Sequence, residues 1–219
     1  MLATYRKDYE GEFVLTKTVF KNGQKIQDRE WIPNPIVNQH ISGRAAIIGS
    51  DMDKSSFDYT RLPSHRGGLL GSKKLQTYGT NSLWKQMPFD FFVTTNIDNL
   101  SEIRASEYVK NIIYTTTKLC LTNPGLFYLI PYSVLLDELA LAIYLACFDG
   151  HTEVFLLGYN NDMPNHNNSW AEDISRVFNT YTNVTFYIVS PPSSWPESWK
   201  KHKNVKSMTV RNFVSFCDI

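Results

Sequence analysis

Asp51 and Asp53 stand in the turn GSDMD, directly after a short apolar run that ends at Ile48. Carboxylates in this position can hold a divalent cation or orient a ribose hydroxyl, and both roles would serve a nucleotide ligand. The turn matches neither GxGxxG nor GxxxxGK(S/T), so it does not define a phosphate loop by itself. Carboxylates that precede a helix also serve as N-caps, and that alternative stays open.

A glycine-rich loop further along the chain, LPSHRGGLLGSKK, carries Arg66 and Lys73 among its cations. Backbone N–H groups of such a loop can approach a phosphate closely, and an arginine fork can bind it through two hydrogen bonds. The loop is therefore expected to contact a phosphate-bearing ligand, with a mobile, solvated loop as the alternative.

His166 lies in the polar loop MPNHNNSW, which follows a predicted strand by a few residues. Imidazole has an ordinary pKa near 6.5, so this side chain can take a proton from a hydroxyl at neutral pH. The loop predicts a general base, with Asp51 as a second candidate, and a solvated loop histidine is the alternative. His151, at the opposite end of the same strand, is expected to be solvated or to cap a helix C-terminus.

The segment SPPSSWPESWKKHKNVKSM interleaves tryptophans with cations near the C-terminus: Trp195, Trp199, Lys200, Lys201 and Lys203. Lysines can bind phosphates, and indole rings can stack on bases. The segment therefore predicts a contact with an acceptor or with DNA, with a surface helix and its lysine stems as the alternative.

These candidate residues need a scaffold, and residues 133–162, SVLLDELALAIYLACFDGHTEVFLLGYNND, form its centre. Residues 134–148 are apolar on almost every face, which predicts a buried helix with Ser133 as N-cap and Gly150 after its last turn. The helix is shorter than the about 20 residues that a bilayer requires. Residues 153–157 then form a short buried strand, so the stretch is the αβ half of a βαβ unit.

The remaining pattern completes an α/β fold. Residues 10–32 alternate apolar and polar side chains around Asn22-Gly23, which predicts a β-hairpin. Further strands are predicted at 44–48, 75–78, 89–94, 111–115, 126–130 and 184–189, with helices near 100–108 and 171–180. We therefore predict one Rossmann-like domain over residues 36–219, with a mostly parallel sheet of about six or seven strands flanked by helices, and a hairpin appendage over residues 1–35.

Ligands of open α/β sheets bind outside the carboxyl ends of the strands. Residues that follow three predicted strands at this edge are Gly49 and Ser50, then Asn81, and then Gly158, Tyr159 and Asn160. Together with the acidic turn, these segments predict one pocket at the carboxyl edge.

The composition narrows the class of protein. The 219 residues are 42% hydrophobic and 20% charged, with a net charge of +1, so no global field points to a nucleic acid or a membrane. Three widely spaced cysteines form no metal or disulfide pattern, and we expect a cytoplasmic location. Aromatic residues reach 14%, an excess that suits a stacking surface. The oligomeric state stays open.

The segment order resembles a known family. AAIIGSDMDKSSFDYTRLP, TYGTN, the apolar helix with GHTEVFLLGYNND, the histidine loop and VTFYIVSP are similar to small bacterial CMP-sialic-acid transferases and related Rossmann-like glycosyltransferases. HRGGLLGSKKLQTYGTN and YLACFDGH also resemble uncharacterised proteins of large tailed phages. The resemblance covers about residues 44–190. It departs at GSDMD, where the family shows GNGPS, and at Asp137-Glu138, where the family shows Ser-Gly; both changes add negative charge.

The resemblance implies a transferase that uses a nucleotide sugar. The turn after Ile48 (Gly49, Ser50 and Asp53) and Asn81 would touch the donor nucleotide, Tyr159 its phosphate, and His166 would deprotonate the acceptor hydroxyl. The donor would be UDP- or CMP-linked, and the phage likeness suggests a 5-hydroxymethylated base in phage DNA as acceptor, modified in the host cytoplasm. A need for divalent metal stays open.

Two alternatives come from other classes of protein. A non-catalytic binding protein could keep the fold after losing donor chemistry, and the acidic departures favour it. A metal-dependent phosphoesterase could use Asp51, Asp53 and Asp162 as ligands, since carboxylates suit Mg²⁺ and Mn²⁺.

Overall fold

The computed structural model describes residues 2–34, 43–49, 57–64, 66–67, 72–73, 75–159 and 169–218. It begins with the antiparallel hairpin of β1 (Gly11–Lys21) and β2 (Gln24–Pro33). Asn22 and Gly23 between them have positive φ angles of 52° and 76°, as a two-residue hairpin turn requires. The predicted hairpin is therefore confirmed.

The body of the protein is an α/β structure built on one eight-stranded sheet. The strands of this sheet are β3 (Arg44–Ile48), β6 (Gln76–Gly79), β7 (Phe91–Val93), β8 (Ile113–Thr115), β9 (Tyr128–Leu129), β10 (Glu153–Leu157), β11 (Thr185–Ile188) and β12 (Val205–Ser207). Two short strands, β4 (Arg66–Gly67) and β5 (Ser72–Lys73), form a separate two-stranded ladder. Every neighbouring pair in the eight-stranded sheet is parallel. The predicted mostly parallel sheet is confirmed, with β12 added at one edge. That strand has three partly exposed residues and no apolar run, so its pattern carries little signal.

Helices cover both faces of this sheet. Their bounds are α1 (Ile97–Arg104), α2 (Thr117–Thr122), α3 (Glu138–Phe148), α4 (Ser169–Thr180), α5 (Glu197–Lys200) and α6 (Val210–Cys217). Buried side chains of α3 and α4 pack on one face, while those of α1, α2 and α6 pack on the other. Within the described part of the chain, no helix is long and apolar enough to cross a bilayer.

The central helix α3 is shorter than its apolar pattern predicts. It begins at Glu138, because the Asp137 side chain accepts a hydrogen bond from the backbone N–H of Leu139 and caps the helix there. Tyr132 has a left-handed backbone with φ of 60°, and Val134 is extended, so the segment after Pro131 is not helical. The predicted start at residue 134 and the N-cap at Ser133 are therefore wrong. From Leu139 to Phe148 every residue is buried, as predicted.

The strand order is β12-β11-β10-β3-β6-β7-β8-β9. From β3 the chain steps outward to β9, returns across the sheet through α3 to β10, and then steps outward in the other direction. The order reverses between β3 and β10, and such a switch point opens a crevice at the carboxyl ends of the two strands. The topology therefore places the candidate ligand site where Gly49 and Gly158 end these strands.

Candidate ligand site at the carboxyl edge of the sheet

Gly49 lies against the chain that leaves β10. Its N–H donates to the Leu157 carbonyl at 2.8 Å, and a Cβ at Gly49 would meet the Gly158 carbonyl oxygen at 2.7 Å and the Tyr159 ring at 3.1 Å. A side chain at this position would push the two backbones apart. Glycine is therefore the residue that lets the two strand ends meet at the switch point.

Glu138, the first residue of α3, ties two further strand ends to this edge. Its carboxylate accepts hydrogen bonds from the backbone N–H groups of Asn81 at 2.9 Å and Thr95 at 2.7 Å. It also accepts from the hydroxyls of Thr94 at 3.1 Å and Thr95 at 3.3 Å. Burial raises the pKa of Glu138, and these donors act in the opposite direction by favouring the ionised form. Glu138 therefore positions the ends of β6 and β7.

Sequence reasoning noted Asp137-Glu138 only as added negative charge and missed this positioning role. The available signal was an acid at the start of an otherwise apolar helix, which is the usual place for a side chain that binds backbone N–H groups. The pattern could not name the partners, because Asn81 and Thr95 are far from Glu138 along the chain.

Asn81 stands at the carboxyl end of β6, next to β3, as predicted for a rim residue. Its backbone is left-handed, with φ of 57°, and its carbonyl accepts a hydrogen bond from the Asn99 side chain at 3.1 Å. Its own side-chain amide donates to the Thr80 hydroxyl at 3.3 Å. Because Glu138 holds the backbone, the half-buried amide side chain is presented in a defined place at the rim.

The start of α3 carries two carboxylates of the chain itself. Asp137 caps Leu139, its N–H donates to a carboxylate oxygen of Asp173 at 2.9 Å, and Glu138 follows it. Helix N-termini attract anions because backbone N–H groups and the helix dipole favour negative charge. At this helix end the carboxylates of Asp137 and Glu138 are already present, so they would repel a phosphate. A phosphate-bearing ligand has to be neutralised by cations elsewhere at this edge.

Tyr159 is buried at the switch point. Burial and the nearby carboxylates of Asp137 and Glu138 raise the pKa of its phenol well above the ordinary value, so the hydroxyl is neutral. Among the residues that the structure describes, this hydroxyl has no hydrogen-bond partner. A buried hydroxyl without a partner costs about 1–3 kcal/mol. Tyr159 is therefore a candidate donor to a bound ligand.

Replacing Tyr159 by phenylalanine should raise the free energy of unfolding of the ligand-free protein by about 1 kcal/mol, since the unpaired hydroxyl is removed. Urea unfolding measures the change. The matched control is Tyr181→Phe, because the Tyr181 hydroxyl donates to the Thr4 carbonyl at 3.0 Å and its removal should destabilise the protein. Equal losses in the two variants would show that the Tyr159 hydroxyl is already paired.

A cavity of about 330 Å³ lies further along the same edge, beyond the ends of β7, β8 and β9. Its lining is Thr95, Thr116, Thr117, Lys118, Ile130, Val134, Leu135, Leu136 and Leu141. Three hydroxyls and one ammonium group stand against an apolar wall, which suits a ligand with both polar and apolar parts. Thr95 also binds Glu138, so this cavity and the rim at Asn81 share one positioning residue.

The structure brings Gly49, Gly158 and Tyr159 together at the switch point, with Asn81 on the neighbouring strand. Arg66 and Lys73 pair with each other in the small antiparallel ladder, through their backbones. The other predicted site residues lie outside the described part of the chain: Ser50, Asp51, Asp53, Asn160, Asp162 and His166. Their predicted roles stay predictions. Among the described residues, no group of three or more His, Cys, Asp or Glu side chains could hold a metal ion.

Both tryptophans of the predicted acceptor or DNA contact are buried. Trp199 is fully buried and its indole N–H donates to the Ala171 carbonyl at 2.9 Å, while Trp195 donates to the Ser190 hydroxyl at 3.0 Å. Neither ring is exposed to stack on a base, so that role is wrong for these two residues. The interleaving with lysines was misleading, because Trp199 in α5 and Trp195 before it both turn inward. Lys200, Lys201 and Lys203 are exposed, and their contact with an acceptor stays a prediction.

His151 belongs to a buried polar network at the C-terminal end of α3. Its Nε2 lies 3.0 Å from the Tyr78 hydroxyl, which donates to Asp149 at 2.5 Å. Arg6 donates to Asp149 at 2.6 Å and to the Tyr114 hydroxyl at 2.7 Å. Of the two expected roles of His151, solvation is therefore wrong, whereas its backbone N–H does donate to the Ala146 carbonyl at 3.2 Å, at the C-terminal end of α3. This network fastens the N-terminal segment to the core.

Asp149 should make stability depend on pH. Burial raises its pKa from 3.8 to about 6 despite Arg6. Between pH about 4 and about 6 the folded state therefore holds a proton that the unfolded state has lost, and the free energy of unfolding falls as pH rises. The fall from this group is about 3 kcal/mol, at 1.36 kcal/mol per pKa unit. Urea unfolding across this range should show the slope, and Asp149→Asn should remove it; identical slopes would contradict the shift.

No family model matches this chain, and no curated protein matches it. Among solved structures, the sialyltransferase CST-II in complex with trisaccharide acceptor and CMP has 12% identity and a TM-score of 0.44, over 68% of this chain and 82% of that chain. CstII from Campylobacter jejuni in complex with CMP-3FNeuAc has 11% identity and a TM-score of 0.45, over 68% and 81%. The monofunctional α-2,3-sialyltransferase Cst-I from Campylobacter jejuni has 11% identity and a TM-score of 0.43, over 77% and 84%.

These neighbours are the class of protein that the sequence resemblance names. At 11–12% identity, the likeness extends to the fold alone.

Proposed function

We propose that this protein transfers a sugar from a nucleotide-sugar donor, UDP- or CMP-linked, to an acceptor hydroxyl. The observation that carries the proposal is the cavity behind Thr95, beyond the ends of β7, β8 and β9, on the same sheet edge as the strand ends at the switch point. At the switch point, the buried Tyr159 hydroxyl has no hydrogen-bond partner among the described residues. A transfer between two substrates needs two ligand sites on one edge, and Glu138 holds Asn81 near the switch point and Thr95 at the cavity.

The donor lies in the crevice. Asn81 contacts the nucleoside, and the Tyr159 hydroxyl donates to a phosphate oxygen, while the close contact of Gly49 with Gly158 holds the two strand ends together. Because the start of α3 is acidic, it cannot neutralise the phosphate. Arg66 and Lys73, or a divalent ion held at Asp51 and Asp53, neutralise the phosphate charge instead.

His166, or Asp51 in its place, takes the proton from the acceptor hydroxyl. The acceptor oxygen then forms a bond to the anomeric carbon, and the bond from that carbon to the phosphate oxygen breaks. The nucleotide departs with the bonding electron pair, and the cations at this edge stabilise its charge. The acceptor enters from the cavity behind Thr95. A 5-hydroxymethylated base in phage DNA, modified in the cytoplasm of the host, is the acceptor that the phage resemblance favours.

Thermal unfolding with UDP, CMP, GDP and their sugars, with and without Mg²⁺ or Mn²⁺, tests the donor. A ligand at about 100 times its Kd should stabilise the native state by about 2.7 kcal/mol. One nucleotide sugar should raise the melting temperature, and Tyr159→Phe should reduce that rise without loss of fold. Absence of any shift in a folded sample would reject the donor.

A non-catalytic binding protein is the second candidate, and the carboxylates of Asp137 and Glu138 at the start of α3 favour it. Those carboxylates occupy the helix end at which an anionic ligand would be stabilised. This candidate predicts that His166→Ala and Asp51→Ala leave the binding activity intact. An enzyme should lose turnover by about 10²-fold or more when its base is removed.

A further inference from the structure

The hairpin of β1 and β2 exposes several large apolar side chains. Phe20 is 75% exposed, Phe13 66%, Leu15 51%, Trp31 42% and Ile26 40%. Single exposed apolar residues are common on protein surfaces, but a group of them on one element indicates a binding surface. The position of these side chains on the ribbon decides what that surface can bind.

The register places all of these side chains except that of Ile26 on one face. Residues directly opposite each other in an antiparallel pair share a face. The opposed pairs on this face are Phe13 with Trp31, Leu15 with Arg29, Thr18 with Gln27, and Phe20 with Lys25. We call these eight residues the aromatic face. The bulge between Leu15 and Lys17 inserts one residue into β1. Because of this extra residue, Thr18 and Phe20 lie on the same face as Phe13 and Leu15.

Charge is divided between the two faces. The aromatic face carries the cations Arg29 and Lys25 and no carboxylate. The carboxylates of the two strands stand on the opposite face, where Glu12 is opposed to Ile32, Glu30 to Val14, and Asp28 to Lys17. That opposite face also holds the buried Val14, which packs on the protein body. The aromatic face is therefore the outward face, and it is purely cationic.

We infer that the aromatic face binds a single-stranded nucleic acid. Its cations match the phosphates, and its aromatic rings, which are the contacting Phe13–Trp31 pair and Phe20, offer stacking surfaces for bases that are not already stacked in a duplex. From Phe13 to Phe20 the face is about 24 Å long, which accommodates a strand of about four nucleotides or more. A second copy of the chain fits less well, because two cationic faces would repel each other. The inference goes beyond the proposed function, since this binding requires no sugar donor.

The test uses the full chain and a fluorescein-labelled oligothymidylate single strand, followed by fluorescence anisotropy at low salt without nucleotide sugar. The wild-type protein should bind. Phe20→Ala should weaken binding by about 5-fold or more, because loss of one stacking contact has an effect of that order. Lys25→Ala should weaken binding and reduce the slope of log K against log salt by about 0.7.

The matched controls stand on the opposite face. Ile26→Ala and Lys17→Ala remove the same kinds of side chain there and should leave the affinity and the salt slope within about 2-fold of the wild type. Thermal unfolding checks that each variant is folded. Absence of wild-type binding, or equal losses in the controls, would overturn the inference. A concentration-dependent dimer in light scattering that Phe20→Ala disperses would overturn it in favour of a second copy.

Discussion

Replacing Asp149 by alanine should lower the free energy of unfolding by about 3–5 kcal/mol at neutral pH. The Arg6 side chain is about nine-tenths buried, and its ion-pair partner Asp149 is completely buried. Without Asp149, the guanidinium keeps only the Tyr114 hydroxyl among these contacts, and an uncompensated charge stays in the core. Tyr78 also loses the acceptor of its shortest hydrogen bond. Urea unfolding of the purified variant measures the loss.

Two further variants test whether the uncompensated charge is the cause. Glu107→Ala removes an exposed ion pair with Lys110 and should change stability by less than about 0.5 kcal/mol. The double variant Arg6→Leu/Asp149→Leu removes both charges and should lose less than Asp149→Ala alone, because no charge is left buried. A single variant that costs under about 1 kcal/mol, or a double variant that costs more than the single, would contradict this explanation.

Replacing Glu138 by alanine should reduce turnover by about 10²-fold if the protein is the proposed transferase. Glu138 contacts no substrate in this proposal; it holds Asn81 near the switch point and Thr95 at the cavity. Displacement of positioning groups by about 1 Å can cost a factor of this size. The loss should appear mainly in kcat, and the amide NMR signals of Asn81 and Thr95 should move most.

Glu138→Gln provides the graded comparison, because its single carbonyl oxygen can accept from only one of the two strand ends. It should fall between the wild type and Glu138→Ala in turnover and in stability. Glu102→Ala, which removes an exposed partner of Lys85, should match the wild type. If Glu138→Ala had the free energy of unfolding, the donor affinity and the turnover of the wild type, the positioning role would be wrong.

Elements with a strong local pattern were predicted well. The runs that became β3 and β10 are apolar and bounded by glycine or polar residues, and the Asn-Gly turn identified the hairpin. The polar residues after those strands were placed at the carboxyl edge, and Gly49, Gly158 and Tyr159 do meet there. Local periodicity sufficed because each of these features depends on neighbours within a few residues.

Features that depend on distant partners were not predictable. The sequence predicts that Trp199 stacks on a base, but in the structure its ring packs against Trp170 and Phe178. His151 looked solvated because its partner Tyr78 is 73 residues away. The aromatic face of the hairpin was not predictable either. Strict alternation would place Phe13 and Phe20 on opposite faces, and the bulge between Leu15 and Lys17 brings them to the same face.

The amino-acid sequence by itself determined the α/β class, the hairpin, the buried central helix and the sheet edge at which to search for a ligand. Those properties follow from periodicity and turn residues, which act locally. Only the tertiary structure decided that Glu138 joins two strand ends, that the buried Tyr159 hydroxyl has no partner among the described residues, and that Asp149 and Arg6 form a buried pair. Burial and hydrogen bonding are set by which distant segments pack together, and that packing exists only in the folded chain.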